Sequence, residues 1–271
     1  MRYRFPAPRF LFLLLIFAAT SVAAQDIIPA FPKGGNRQAS EFIDEEMIYP
    51  AEALAKSVEG TVTLDFIVLP QGTVKEVKCR SLNPFLEAEA LRIFSLIVWE
   101  PAQYRGKAVE SKVSFQVPFS IRHYYKVCKK RGYTSIDFPP MPVDSSGKIY
   151  QYKNTDQAPV PVFKDKNMNV QIFLAENFVY PDEALKRNIT GVVKVNFIVE
   201  PHGRISNVNV VDFVGAGCSE EAVRLIKALR WKPGVRDGKA VRVNMSFPIT
   251  FGLSADGNYK VTPAAGGISF Q

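Results

Sequence analysis

The sequence YPAEALAKSVEGTVTLDFIVLPQGTVKEV occupies residues 49–77, and much of it returns 131 residues later as YPDEALKRNITGVVKVNFIVEPHGRISNV at residues 180–208. The two stretches share 13 identities over 29 positions, where unrelated sequences of ordinary composition share about two. After a shift of one residue the likeness extends to Trp99 and Trp231, the two tryptophans of the chain. Two copies of a unit of roughly 90 residues predict two small domains of one fold, each with its own core.

Each copy contains an alternating apolar run that is typical of a half-buried strand. A Pro-x-Gly turn follows the run, and a second alternating stretch covers residues 74–79 or 205–211, which predicts a hairpin. The residues expected to face the core are Val62, Leu64, Phe66 and Val68 in the first copy, and Val193, Val195, Phe197 and Val199 in the second.

Helices are predicted on both sides of this hairpin. A Phe-Pro segment opens each copy, Phe31-Pro32 in the first and Phe163 after Pro161 in the second, and a short helix such as residues 170–177 follows. Tyr-Pro then opens a second helix that Gly60 or Gly191 ends. A third helix, at about residues 86–97 and 219–229, has apolar residues at helical spacing, and Trp-x-Pro ends it. The last strand is expected at residues 113–121 and 241–251.

These elements predict the α+β fold class, with two tandem small domains. Because the crossover through the third helix is right-handed, the second and third strands run parallel. Since the first strand already pairs with the second, the third strand lies on its free side. Each domain is therefore predicted to be a three-stranded antiparallel sheet, in the order second, first, third, packed on helices. The final strand is then an edge.

An uncovered edge strand presents unpaired N–H and C=O groups to which an extended peptide can add as a further strand. The alternative is that the edge is blocked by the Phe-Pro segment or by the sister domain. The candidate partner-binding residues on these strands are Val117, Phe119, Val243, Met245, Phe247, Ile249 and Phe251.

The first 24 residues have the layout of a secretory signal peptide, with three arginines, then an uncharged apolar stretch and small residues before Gln25. A retained membrane anchor is the rival interpretation, but the apolar stretch of residues 10–24 is short for a span of roughly 20 residues. Removing three arginines takes the net charge of the chain from +8 to +5. The predicted organisation is a signal peptide (1–24), a first domain (25–122), a linker (123–158), a second domain (159–253) and a tail (254–271).

Little in the sequence points to catalysis, a cofactor or a metal. The chain has two histidines and no C-x-x-C motif, whereas acid–base or nucleophilic catalysis needs a cluster of positioned groups. The basic and aromatic stretch at residues 122–131 is interpreted as a solvated tether rather than a nucleic-acid site. Of the three cysteines, Cys79 and Cys128 are a possible disulfide in an oxidising compartment.

The combined pattern resembles the C-terminal domain of TonB. The pattern consists of Tyr-Pro-x-x-Ala, Gly-x-Val-x-Val-x-Phe-x-Val, Ser-x-Val-x-Val, Trp-x-Pro-Gly and a closing Pro-x-x-Phe strand. In the second copy the motif residues are Tyr180, Pro181, Ala184, Gly191, Val193, Val195, Phe197, Val199, Gly203, Ser206, Val208, Val210, Trp231, Pro233, Gly234, Pro248 and Phe251. The first copy matches less fully, with Lys75 in place of the serine and Ala102 in place of the glycine.

The resemblance implies a periplasmic domain that captures the N-terminal box peptide of an outer-membrane receptor on an edge strand. It also implies that Tyr49, Pro50, Tyr180 and Pro181 lie beside the bound peptide. Many members of the family carry a glutamine before this tyrosine, where this chain has isoleucine or valine. The energy-coupling members also carry a membrane helix with a histidine and a proline-rich spacer, and neither pattern is visible here.

The expected function is therefore that of a non-enzymatic periplasmic protein, linked to transport across the outer membrane, without a cofactor or nucleic acid. Its expected partners are receptor box peptides or other TonB-system and envelope proteins, with self-association also possible. Two alternatives stay open. One is an inner-membrane-anchored energy transducer with an uncleaved N-terminus, and the other is a structural interaction protein of the envelope.

Overall fold

The computed structural model of the chain describes residues 27–81, 83–136, 139–253 and 257–263. The predicted signal peptide, residues 1–24, lies outside these ranges. Among the helices within them, none has both the length and the apolar composition needed to cross a lipid bilayer.

The first copy of the repeat has its largest hairpin in the middle, with helices before and after it. Its elements are β1 (Ile27–Ile28), β2 (Phe31–Pro32), α1 (Gly35–Glu46), α2 (Ala51–Ala55), β3 (Gly60–Val68), β4 (Val74–Arg80), α3 (Pro84–Leu96), β5 (Trp99–Glu100), β6 (Ala102–Tyr104), β7 (Lys107–Val109), β8 (Ser111–Phe119) and α4 (Ile121–Arg131).

The second copy keeps the central order of the first. Its elements are β9 (Ile149–Gln151), a 3₁₀ turn (Tyr152–Asn154), β10 (Val160–Val162), α5 (Val170–Asn177), α6 (Asp182–Lys186), β11 (Gly191–Val199), β12 (Ile205–Asp212), α7 (Cys218–Ala228), β13 (Arg230–Lys232), β14 (Gly234–Arg236), β15 (Lys239–Leu253) and β16 (Tyr259–Pro263). It has one long strand, β15, where the first has β7 and β8, and it ends in a strand, β16, instead of a helix.

The two main sheets share a three-strand centre but differ in size. In the first repeat the order is β4-β3-β8, and β3 is antiparallel to both neighbours. In the second repeat the order β12-β11-β15 is extended by β14, β9 and β16, which all pair with β15. The mixed α+β class is confirmed, whereas the prediction of three strands is wrong for the second sheet.

Each repeat has its own hydrophobic core on one face of its sheet. The eight residues predicted to face inward from the first strand of each hairpin are all buried. Aromatic contacts fill the centre of both cores: the ring centroids of Phe66 and Trp99 are 4.7 Å apart, and those of Phe197 and Trp231 are 5.4 Å apart. The repeated Phe and Trp are therefore partners in the core.

The Pro-x-Gly turn is tied to the same tryptophan. Gly203 has a φ of +77°, and a Cβ on it would lie 2.1 Å from the carbonyl oxygen of Trp231. Gly72 has a φ of +82° and a Cβ there would lie 2.7 Å from the carbonyl oxygen of Trp99. Only glycine fits both the backbone conformation and this close approach, which explains why the turn and the tryptophan recur together.

The helices lie close to the predicted positions. The helix over residues 170–177 is confirmed as α5, with Asn169 capping its start through a bond from the Ile172 N–H at 2.9 Å. Pro50 and Pro181 precede α2 and α6 as N-cap residues. Gly60 and Gly191 do not end these helices, because each helix stops about five residues earlier and the glycine begins the next strand.

The basic stretch interpreted as a tether is a helix, α4, and this interpretation is wrong. Ser120 caps its start, Gly132 ends it with a φ of +77°, and the basic residues lie in its last turn, where they suit the helix dipole. Tyr124 and Cys128, four residues apart on one face, are buried in the first core. The amphipathic pattern of α4 is weak in the sequence, because Tyr124 and Cys128 are its two buried residues and most of the others are charged.

The predicted linker and tail also contribute to the second sheet. Within residues 123–158, β9 pairs in parallel with β15, and within residues 254–271, β16 pairs antiparallel with the same strand. The prediction that these segments only connect or trail the domains is therefore wrong for both strands. The domain boundaries themselves stay predictions.

All three cysteines are free thiols, so the possible disulfide between Cys79 and Cys128 does not form. Cys79 lies on β4, at one side of β3, whereas α4 continues from β8 on the other side. The two cysteines therefore belong to elements that leave the sheet at opposite edges.

The two repeats pack against each other through buried polar contacts. Asn207 of β12 donates to the carbonyl oxygen of Leu96 at 2.9 Å and accepts from the Val98 N–H at 2.8 Å. Arg242 also donates to the Leu96 oxygen, at 2.7 Å, and forms a buried ion pair with Glu200 at 2.8 Å. The end of α3 is therefore held by side chains of the second repeat.

A second inter-repeat contact joins Glu46 to His202. The carboxylate Oε1 of Glu46 lies 3.1 Å from the ring Nε2 of His202. Burial acts to raise the pKa of Glu46, but His202, Arg92 and Arg204 together lower it. The contact therefore contributes stability above the ordinary pKa of a glutamate, and this contribution is lost as the pH falls through the lowered pKa.

We predict that Asn207→Gly destabilises the chain through loss of the inter-repeat bonds. Asn207 has a φ of +50°, so glycine avoids backbone strain while removing the amide that serves Leu96 and Val98. The Val98 N–H loses its acceptor and the Leu96 oxygen keeps only the bond from Arg242, which lowers the free energy of unfolding by about 1–3 kcal/mol, measurable by urea titration.

Glu76→Gly is the matched control, because Glu76 holds the equivalent position on β4 with a φ of +55° and is exposed. Both substitutions add a similar freedom to the unfolded chain. An equal loss of stability in the two variants would contradict a role for Asn207 in holding the repeats together.

Candidate functional site

The outer rim of β8 is an open sheet edge. β8 pairs with β3 along its whole length, from Ser111 to Phe119. Within the ranges that the structure describes, no backbone group on its other side has a hydrogen-bonded strand partner. A row of N–H and C=O groups is therefore available to an added strand.

Pro118 shows which residues direct their backbone groups outward. A proline inside a strand is tolerated where its missing N–H would face away from the neighbouring strand. Lys112, Ser114 and Gln116 have the same parity as Pro118, so their N–H and C=O groups point to the rim. Their side chains are exposed on the solvent face of the sheet.

A groove of ≈ 520 Å³ follows this rim. α1 forms one wall, β8 the other, and the start of α4 closes one end. The lining side chains are mostly polar, with three apolar ones between them: Asn36, Ser40, Ile43, Asp44, Thr61, Ser114, Phe115, Gln116, Pro118 and His123. Its shape and lining suit an extended chain whose backbone bonds to β8.

Arg131 fixes the end of the α1 wall. Its guanidinium donates to the carbonyl oxygens of Asp44, Glu45 and Met47 at 2.6, 3.0 and 2.8 Å, the unpaired carbonyls at the C-terminal end of the helix. His123 Nε2 lies 2.8 Å from Asp44 Oδ1 at the closed end of the groove. The groove therefore has rigid walls before any partner binds.

The corresponding rim in the second repeat is covered by the chain itself. β14 pairs with residues 239–241 of β15, β9 with residues 242–244 and β16 with residues 249–253. Between them lies Pro248, which has no N–H to offer. The edge is blocked, though neither by the Phe-Pro segment, which pairs with β13 as β10, nor by the sister repeat.

β16 lies in the second repeat beside residues 249–253, which correspond to residues 117–121 of the first repeat, next to one end of the open groove. It pairs antiparallel with β15 and also contacts α5, the counterpart of α1. Tyr259 of β16 stacks on Tyr180 with a centroid distance of 4.5 Å, and its hydroxyl donates to Asn188 Oδ1 at 2.7 Å. The chain thus contains its own example of a strand seated between the last strand and the first helix.

The structure places the predicted partner-binding residues of the last strands in the two cores. Their side chains are at most 2% exposed, and their parity turns their backbone groups toward β3 or β11 rather than toward the rim. These residues are Val117, Phe119, Val243, Met245, Phe247, Ile249 and Phe251. The outward groups belong to the residues between them, which the prediction missed although Pro118 indicates their parity.

The repeated tyrosines are also buried and satisfied within their own repeats. Tyr49 donates to the Val58 carbonyl oxygen at 2.6 Å, and Tyr180 donates to that of Ile189 at 2.8 Å. Burial raises the pKa of each hydroxyl to about 12. Both tyrosines therefore hold the start of a helix against the end of the sheet.

A glutamate and an arginine three residues apart clamp the segment before each tyrosine. Glu89 accepts from the Ile48 N–H at 2.7 Å, and Glu221 accepts from the Val179 N–H at 2.7 Å. Arg92 and Arg224 pair with these glutamates at 2.8 and 2.7 Å. The repetition of both residues in the sequence is a signal for this clamp. The backbone N–H before each tyrosine therefore already has a hydrogen-bond partner within its own repeat.

No group of three or more His, Cys, Asp or Glu side chains within the described ranges is arranged to hold a metal ion. The groove lining carries one acid, Asp44, and one histidine, His123, which pair with each other. Its chemistry is that of backbone and side-chain hydrogen bonding.

Comparison with known proteins identifies one family. The sequence model of the family described as Gram-negative bacterial TonB protein C-terminal matches residues 45–121 and 176–253. These segments contain the hairpin, the third helix and the last strand of each repeat. Searches among curated proteins and among solved structures gave no match.

We predict different hydrogen exchange at two equivalent backbone amides. Lys112 directs its N–H to the open rim of β8, whereas Asn244 lies where β9 pairs with β15. An opening free energy of roughly 3 kcal/mol makes exchange at Asn244 about a hundredfold slower. Amide exchange followed by NMR measures both sites, and equal protection would show that the β8 rim is covered in solution.

Proposed function

Since the chain belongs to the family of Gram-negative bacterial TonB protein C-terminal domains, we propose that it is a non-enzymatic envelope protein that binds an extended peptide along β8. The peptide adds a strand to the first sheet and lies in the groove between β8 and α1. The second repeat stabilises the first and takes no peptide, because its own strands cover β15.

The observation that carries this proposal is the contrast between the two repeats. In the second, β9, β14 and β16 pair with the last strand; in the first, the rim of β8 has no strand partner among the described residues and borders a groove of ≈ 520 Å³. The last strand is thus covered along most of its rim in one repeat and open in the other. Strand addition satisfies the open rim without a change in fold.

The chemistry of the groove favours a short, mostly polar peptide with an occasional apolar side chain. Backbone bonds to Lys112, Ser114 and Gln116 supply affinity that does not depend on sequence. Asn36, Ser40 and Gln116 can bond to polar side chains of the peptide, while Ile43 and Phe115 offer an apolar contact. The N-terminal box peptides of outer-membrane receptors are the partners we propose, and through them a link to transport across the outer membrane.

Family membership and the charged, apolar and small-residue order of residues 1–24 support a periplasmic location after cleavage of a signal peptide. We expect the native protein to begin at Gln25, and intact-mass measurement of protein isolated from its host checks this. A mass that includes residues 1–24 would instead favour the membrane-anchored energy transducer.

We predict that Gln116→Pro weakens binding of a receptor box peptide. Proline removes one outward N–H from the β8 rim, and Pro248 at the equivalent position of β15 shows that the fold accepts it. Loss of one hydrogen bond weakens binding by about threefold to tenfold. Isothermal titration of the mature chain measures the affinity and a stoichiometry of one peptide per chain.

Gln116→Ala is the control, because it removes the same side chain but keeps the backbone N–H. We expect its affinity to stay within about twofold of the original. If alanine weakens binding as much as proline does, side-chain recognition replaces strand addition as the explanation. Absence of binding by any box peptide at millimolar concentration would remove the proposal.

A further inference from the structure

A second cavity, of ≈ 740 Å³, lies between the two repeats and is separate from the β8 groove along most of its lining. α1 and α4 form its first wall, and the start of β12, α7 and β13 form the other. We call it the inter-repeat cleft. Its volume falls within the usual range of small-molecule sites, and its charge is strongly one-sided.

Six cationic side chains line the cleft against three acidic ones, Glu41, Asp44 and Glu45. The acids do little to neutralise the cations. Glu41 pairs with Lys227 at 2.5 Å, Asp44 pairs with His123 outside the cation cluster, and burial raises the pKa of Glu45. The cations are Lys130, Arg131, Arg204, Arg224, Lys227 and Arg230.

Four of these cations have no carboxylate within ion-pair distance in the part of the chain that the structure describes: Lys130, Arg131, Arg204 and Arg230. Their positive charge is therefore concentrated at one place, and the nearby carboxylates, such as Glu46 beside Arg204, offset it only from beyond ion-pair distance. An anion that enters the cleft meets several donors at once.

Tyr133 holds two of these guanidinium groups close together. The guanidinium carbon of Arg204 lies 3.3 Å from the centroid of the Tyr133 ring, and that of Arg131 lies 4.4 Å from the same centroid. Tyr133 is itself fixed by donation from its hydroxyl to the Glu45 carbonyl oxygen at 2.8 Å. One guanidinium comes from each repeat, so the cleft exists only because the repeats are packed together.

Arg204, Arg230 and Arg131 repel one another, and a bound anion would reduce this repulsion. Burial lowers the pKa of Arg204, and the charges of Arg230 and Arg131 lower it further. A ligand with two negative charges offsets this repulsion better than a single carboxylate does. Phosphate also matches the planar donor fork of arginine in a bidentate arrangement.

We propose that the inter-repeat cleft binds a phosphate group, carried either by a small soluble molecule or by a lipid headgroup. Arg204, stacked on Tyr133, supplies the fixed donor fork, and the exposed side chains of Lys130 and Arg230 supply further donors. Arg131 contributes its positive charge only, because its N–H groups already bond to atoms of the protein. This site is independent of peptide addition at β8 and uses residues of both repeats.

The test uses the mature chain with two probes: inorganic pyrophosphate, followed by isothermal titration, and phosphatidylcholine vesicles that contain phosphatidic acid, followed by co-sedimentation. The variant Lys130→Gln with Arg230→Gln removes two exposed charges of the cleft. We expect it to weaken binding of the responsive probe by about tenfold or more. Arg204→Gln is a second variant with the same expected loss.

Lys126→Gln with Lys129→Gln is the matched control, because it removes two exposed charges of α4 that do not line the cleft. Its binding should stay within about twofold. Response to pyrophosphate supports a soluble ligand, and response to vesicles alone supports a headgroup. Equal loss in both double variants, or no binding of either probe, overturns the proposal. Unchanged box-peptide binding in the cleft variants separates this result from a failure at β8.

Discussion

This structure depends on how the last strand of each repeat satisfies the backbone N–H and C=O groups on the side that faces away from the first strand. Once the last strand of a repeat has paired with the first, a row of backbone groups remains that must meet water or another strand. The second repeat satisfies this row with β9, β14 and β16, whereas β8 in the first repeat has only β3. Two copies of one sequence pattern therefore have different capacities for binding. The difference comes from the segments around each copy rather than from the repeated residues.

The parts of the fold that follow from periodicity and local chemistry are predictable from the sequence. The alternation around Phe66 and Phe197 fixes the core face of each sheet, and the cap at Asn169 belongs to a helix predicted at residues 170–177. The sequence does not reveal α4 as a packed helix, because its buried face has only Tyr124 and Cys128 among seven basic or polar residues. β9 and β16 are short, and a strand of a few residues gains its stability from its partner, which no local pattern encodes.

The candidate site shows the same division. The sequence indicates an edge strand, but the choice of Val117 and Phe119 follows the side-chain face, while strand addition depends on the direction of the backbone groups. The side-chain face and the direction of the backbone groups both alternate with period two along β8. The apolar residues that reveal the strand in the sequence are therefore the ones whose backbone groups face β3 and not a partner. The cleft was beyond sequence reasoning altogether, because Arg204 and Arg131 are 73 positions apart and meet at Tyr133 only through the packing of the repeats.

The dependence of the second sheet on β16 bears on how the chain acquires its structure. β16 is synthesised after every other strand described here. The ring contact between Tyr180 and Tyr259 therefore forms only after β16 has been made. The first repeat has all its described elements once α4 has emerged. In a chain that passes through a membrane N-terminus first, the first repeat is free to fold during translocation, while the second stays incomplete until translocation is nearly over. The half with the open groove is thus exposed before its partner is ready, and it is the half that a periplasmic chaperone would meet first.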